Sequence, residues 1–132
     1  MLLISLAAVL LPGCNTNSID IEQFKSINVP GLIVKGRMVS AYDENTWQTG
    51  YNPSHNEFTV FDDNFSNFVI ISCSALPVKG ETIKADIRYT TVDNIKHMKN
   101  VHFQVTDMDE NSSLIWLYSQ KNDVCAIVKM VR

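Results

Sequence analysis

From Leu32 to the last residues of the chain, apolar and polar positions alternate with a period close to two. "LIVKGRMVSAY" places Leu32, Val34, Gly36 and Met38 on one face and Lys35, Arg37 and Val39 on the other. "EFTVF" offers Phe58 and Val60. "ETIKADIRYT" sets Ile83, Ala85, Ile87 and Tyr89 against Lys84, Asp86 and Arg88, and "VHFQVT" repeats the pattern with Val101, Phe103 and Val105. Successive Cβ atoms of an extended chain point to opposite faces, so this period predicts strands with one buried face. "NFVIIS" is almost continuously apolar and reads as a strand covered on both faces. "SLIWLYS" and "VCAIVKMV", rich in β-branched and aromatic residues, complete a set of seven predicted strands. Turn formers separate them: Asn52-Pro53-Ser54, Asp62-Asp63-Asn64, Val78-Lys79-Gly80, Asp109-Glu110-Asn111 and Lys121-Asn122-Asp123. Helical spacing is confined to "VDNIKHMK" around Ile95, at most two turns, and to a short start after Ser18 in which Ile19, Phe24 and Ile27 form one apolar face. Pro30-Gly31 punctuates the chain before the strands begin.

So many short strands must bury one face each, by closing into a barrel or by pairing as a sandwich. Gly36 falls mid-strand on the expected core face, where a glycine weakens packing and marks a barrel corner. The expectation is a long first strand bent at Gly36 and shared between two sheets. From Gly31 to Thr91 the order resembles an OB-fold: "LIVKGRMVSAY", then "EFTVFDDNFSNFVIIS" as a hairpin, then "PVKGETIKADIRY" with its turn glycine. That resemblance implies a small Greek-key barrel, with residues beyond Thr91 supplying a fifth strand and a further hairpin. It departs from the family at "CSALPVKGE", which has no room for the helix common between the third and fourth OB strands. The predicted class is all-β, a small OB-like or related β-barrel with at most one short helix; a β-sandwich is the alternative.

The N-terminal stretch "LLISLAAVLLPGCNTNS" has a different character. Its apolar run, Leu2 to Leu11, is about half the roughly 20 residues that cross a bilayer as a helix, and it fits the apolar core of a secretory signal. Leu11-Pro12-Gly13-Cys14 resembles the lipobox of bacterial lipoproteins, with the leucine three before the cysteine and the glycine just before it; Pro12 is a less usual occupant of the middle position. The resemblance implies cleavage after Gly13, acylation of Cys14 and attachment to a membrane on the extracytoplasmic side, periplasmic or at the cell surface. Signal peptides open with Lys or Arg, whereas the first charge here is Asp20, so the expected start of the natural chain lies upstream. The predicted organisation is a signal peptide over 1–13, a lipid-anchored tether over 14–30 with a short helix in it, and a β-barrel domain over 31–132.

Composition narrows the field. The 132 residues suffice for one domain with a real core, and 45% are hydrophobic against 19% charged, which argues against disorder. The formal net charge is −3 without a basic run, so no nucleic-acid partner is expected. There are three cysteines. If Cys14 carries lipid, an even pair remains: an oxidising envelope permits a Cys73–Cys125 disulfide, and two separate buried thiols are the alternative.

Candidate chemistry is sparse. His55, His97 and His102 fall in a loop, a linker and a strand's polar face, with no spacing that gathers two ligands. "DMDENSS" from Asp107 opens like a calcium loop but has Ser112 where a turn glycine belongs and Tyr118 where a bidentate Glu closes the cage. A hairpin turn accounts for the same residues. Asp62 and Asp63 are adjacent and point apart on a strand, and the residues around Ser72 and Ser74 lack a nucleophile elbow. No metal, cofactor or catalytic residue is assigned. The binding candidate is the long connection Tyr42 to Phe58, where Trp47 and Tyr51 sit among polar residues, with Lys35 and Arg37 on the outside of the first strand as a possible anion-contacting patch. In the OB resemblance that connection borders the ligand face. The sequence therefore reads as a lipid-anchored, non-catalytic binding or accessory module of the bacterial envelope, with an unidentified protein or small ligand as partner. Its rivals are a structural part of an envelope assembly and, more distantly, a hydrolase with an assembled site.

Overall fold

The computed structural model describes residues 20–41, 47–62 and 66–130. It comprises one short helix, α1 (Ile21–Ser26), and nine strands: β1 (Gly31–Val34), β2 (Arg37–Ala41), β3 (Trp47–Asn52), β4 (Glu57–Asp62), β5 (Phe68–Cys73), β6 (Thr82–Thr90), β7 (Ile95–Asp109), β8 (Leu114–Ser119) and β9 (Val124–Lys129). All nine join one sheet in the order β2-β1-β9-β8-β7-β6-β5-β4-β3, antiparallel at every step. The protein is thus all-β, and its sheet curls into a half-barrel: side chains from β1 and from β4 to β9 meet in one interior cluster that includes Leu32, Phe58, Ile71, Ile87, Phe103 and Leu117. β3 to β9 follow one another as a meander, so this is a related small barrel and not the Greek-key path of an OB-fold.

The count is nine and not seven for two local reasons. First, Lys35 and Gly36 have φ of 51° and 77°, which makes them the two central residues of a tight primed hairpin turn. Gly36 is therefore no mid-strand bend; it splits "LIVKGRMVSAY" into β1 and β2. The Lys35 amide donates to the Asp123 carbonyl at 2.8 Å, tying this turn to the β8–β9 turn. Second, Trp47–Asn52, expected as loop, is a strand paired along its length with β4. A strand shared between two halves does exist, but it is β7. Its 15 residues pair with β6 from Ile95 to Gln104 and with β8 only from Gln104 to Asp109. Register shifts interrupt both pairings, and at the first the Asn100 amide (φ 55°) donates to Asp86 Oδ1 at 2.9 Å. The expected helical turns around Ile95 are the beginning of this strand: Thr91 bonds to the Asn94 carbonyl at 2.8 Å and turns the chain straight into the pairing with β6.

Strand parity explains why the sheet stays open. Nine strands in a row make eight antiparallel steps, an even number, so the two edge strands β2 and β3 point the same way. A parallel pair needs a crossover of about a dozen residues or more, and only residues 42–46 lie between Ala41 and Trp47.

One region of the sheet is covered on its outer face as well. Asp20 caps α1 by accepting from the Glu22 amide at 3.2 Å, and the helix lays Phe24, fully buried, on β1, β8 and β9. Phe24, Ile33, Leu114, Trp116, Cys125 and Ile127 form a second cluster, and Trp116 Nε1 donates to the Ile27 carbonyl at 2.8 Å. The cap is Asp20 in place of the expected Ser18, which lies outside the described residues together with Ile19. "NFVIIS" is not covered on both faces: in β5 Val69, Ile71 and Cys73 are buried, while Phe68, Ile70 and Ser72 are half-buried.

The same two-faced arrangement decides the thiols. Cys73 belongs to the interior cluster and Cys125 to the outer one, on opposite sides of the sheet. Both are free and buried, so the Cys73–Cys125 disulfide is not formed. Burial pushes each thiol up to about 12, with the Asp123 charge adding to the effect at Cys125.

Candidate functional site

The β3–β4 turn, the β5–β6 connection and the β7–β8 turn all lie at one end of the curled sheet, because the strands alternate in direction. Two apolar cavities open there. The first, about 450 Å³, is lined by Tyr51, Pro53, Asn56 and Leu76. Tyr51 stacks on Phe58 with ring centroids 4.7 Å apart, so its inner side belongs to the core while the residue stays half-buried. Around it the backbone is pinned. Asn52 accepts from the Ser54 amide through Oδ1 at 3.0 Å and from the His55 amide through its carbonyl at 3.2 Å, and the Cys73 amide donates to the Asn56 carbonyl at 3.0 Å. Leu76 stands 48% exposed on the opposite wall.

The second cavity, about 400 Å³, has Met108, Leu114, Ile115 and Met130 as its apolar lining and Asp109 and Glu110 on its rim. Between the two, the connection after Leu76 is drawn onto β7: the Gly80 amide donates to the Val105 carbonyl and the Val105 amide to the Glu81 carbonyl, both at 2.9 Å. An exposed Lys79–Asp107 ion pair at 3.3 Å adds to this. Cavities of this size, largely apolar with a few polar groups at the mouth of a barrel, have the form of ligand or side-chain binding sites.

The residues singled out from sequence do not form one surface. Tyr51 lies at the cavity end. Lys35 and Arg37 lie at the opposite end, in and just after the β1–β2 turn, exposed to solvent. Trp47 begins β3, and its side chain lies outside the described residues, as does Cys14. The other candidates take up turn and surface roles. His55, His97 and His102 are exposed and spread over separate elements. Asp109 accepts from the Asn111 amide at 3.1 Å and the Ser112 hydroxyl at 2.9 Å, so the would-be calcium loop closes a hairpin. Asp107 is held below the ordinary carboxylate range by the Met108 amide at 2.8 Å and, secondarily, by Lys79. The Asp62 carboxylate takes the side-chain amide of Asn67 at 2.9 Å, the Ser66 hydroxyl at 3.2 Å and both their backbone amides. These bonds, the Asn67 side chain foremost, lower its pKa and close the β4–β5 turn. Among the described residues no group of three or more His, Cys, Asp or Glu could hold a metal ion.

Sequence reading missed a groove of about 310 Å³ on the outer face, lined by Glu57, Ile70, Ser72, Asp86, Arg88 and His97 among others. The register builds it in two rows. Glu57, Ser72 and Asp86 stand side by side across β4, β5 and β6; Ile70, Arg88 and His97 do so across β5, β6 and β7. Both carboxylates accept hydrogen bonds, Glu57 from the Ser72 hydroxyl at 3.1 Å and Asp86 from the Asn100 amide, and the Arg88 guanidinium sits over the Phe68 ring at 6.0 Å. The alternation already put Asp86 and Arg88 outside; only the strand register could show which neighbours they meet.

Set against known proteins, the chain matches no family model, no curated protein and no solved structure. Among the described residues no helix is long and apolar enough to cross a membrane.

Proposed function

We propose that the protein is a lipid-anchored, non-catalytic binding module of the bacterial cell envelope. It is held to the membrane through Cys14 and engages a protein or small apolar ligand at the open end of its curled sheet. The lipobox-like Leu11-Pro12-Gly13-Cys14 supports the anchor. The observation that carries the binding role is the cavity between Tyr51 and Leu76, an aromatic and an aliphatic wall held apart by hydrogen-bonded backbone. Such a preformed apolar pocket binds without paying much to order itself. The test is capture of partners from the protein's own envelope, comparing the parent with Leu76→Asp, a change at an exposed position that leaves the core intact. The reading requires a specific partner or ligand that Leu76→Asp loses while circular dichroism stays unchanged. A bound set identical in both versions would sink it.

A second reading, a structural part of an envelope assembly, is favoured by the sheet edge. Among the described residues β2 has a partner strand on one side only and exposes Met38 and Val39. An edge of this kind accepts a strand from another chain. Capture lost on Val39→Lys but retained with Leu76→Asp would select it.

A further inference from the structure

We propose that the tip of the β6–β7 hairpin is a second membrane contact, with Val92 and Ile95 dipping into the lipid surface beside the acyl anchor; this rests on the anchored reading. Three observations meet. First, the hairpin overhangs β8, on the side where α1 lies, while on its other side β5 accompanies β6 as far as Tyr89. β8 pairs with β7 only up to Gln104, and the stretch Ile95–Phe103 runs on past that pairing. At roughly 3.3 Å per strand residue this overhang is about 30 Å.

Second, the chain enters the fold from the same end. The Phe24 ring lies 6.1 Å from that of Tyr118, and Ile27 further on bonds to Trp116. Tyr118 pairs with Gln104 and Trp116 with Asp107, so the start of α1 lies toward the hairpin tip and its exit toward the cavity end. Between Cys14 and Asp20 the chain can span about 20 Å at full extension. An overhang longer than the tether reaches the surface to which the tether is fixed.

Third, the tip presents two large apolar side chains to solvent, beside the exposed Asp93 and Asn94 of the turn. Val92 is 101% exposed and Ile95 52%, with the exposed Lys96 beside them. Val92 and Ile95 are the two most exposed large hydrophobic side chains among the described residues. Burying such side chains at the boundary of headgroups and acyl chains adds to a lipid anchor, and a lysine stem suits that depth. The arrangement also turns the Tyr51–Leu76 cavity away from the bilayer, toward partners.

The test uses the full lipidated protein in phosphatidylcholine–phosphatidylglycerol vesicles. An environment-sensitive fluorophore is attached at Val92→Cys or, as a control at the other end, at Leu76→Cys; the native thiols at 73 and 125 are buried. On vesicles the label at 92 is expected to shift to the blue and lose about half its emission to nitroxide lipids, with the label at 76 unchanged. Protein that floats with the vesicles while the label at 92 stays as wet as that at 76 overturns the hairpin contact and leaves the anchor standing. Protein that carries no acyl group and does not float brings down the anchor and the contact with it.

Discussion

β5 and β8 are built from the same kind of sequence and end in different places. "FVIISC" and "LIWLYS" are both nearly unbroken apolar runs, yet β8 is buried on both faces and β5 on one. The difference comes from α1, which lies over β8 and β9 and leaves the outer face of β4 to β6 to the Glu57–Arg88 groove. An apolar run therefore states that a strand can be covered twice. Whether it is depends on an element far away in the chain, here α1. Over β5 the coverage is thinner, and the Arg88 guanidinium above the Phe68 ring is part of it.

This comparison can be broken most directly at its cover. Phe24→Ala removes a fully buried ring from the outer cluster and is expected to cost about 3–5 kcal/mol, while Ile70→Ala on the half-buried face of β5 costs about 1 kcal/mol. Urea denaturation of the two variants checks both, and equal losses would mean that α1 does not distinguish the two regions. The thiols report the same asymmetry from inside. Each is raised from 9.0 to about 12 in the folded state, so the native protein keeps protons that the unfolded chain releases; this contribution is intact below pH 9.0 and is lost as pH climbs toward about 12. Native protein at neutral pH should leave both thiols unalkylated, and Phe24→Ala should expose Cys125 to alkylation before Cys73. Mass spectrometry of the modified peptides gives the order. A smaller effect comes from Trp116→Phe, which keeps an aromatic ring but deletes the bond to Ile27 and part of the indole's packing; about 1–2 kcal/mol is expected in the same denaturation assay. The least is Lys79→Ala at the exposed pair with Asp107, below about 0.5 kcal/mol and smaller still in high salt.

The alternation in β6 and the first part of "VHFQVT" was fully legible: Ile83, Ala85, Ile87, Tyr89, Val101, Phe103 and Val105 are all buried. The turn signals at Asn52-Pro53-Ser54 and Asp109-Glu110-Asn111 mark hairpins of the structure. What misled was the meaning of single residues. Gly36 on a period-two pattern looks like a bend within a strand, but a hairpin turn of two residues preserves the alternation and hides the break. Trp47–Asn52 escaped notice because Gly50 and the polar residues around it mimic a loop. Gly50 is explained by its partner: a Cβ there would lie 2.9 Å from Thr59 Oγ1, a closeness only the pairing with β4 creates. Of the candidate site, Tyr51 could be found as an aromatic near a turn. Leu76 and the cavity they share could not, because the wall comes from a connection between two other strands.

By itself, the sequence determined the all-β class, because a period of two commits each strand to one buried face whatever its neighbours are. It also determined most of the turns, through residues that favour tight conformations. The tertiary structure alone decided which strands acquire a second cover and why the half-barrel stays open. It decided that Cys73 and Cys125 face opposite sides of the sheet, and that Tyr51 is far from Lys35 and Arg37. These follow from strand order, parity and register, which are long-range choices that local alternation does not encode.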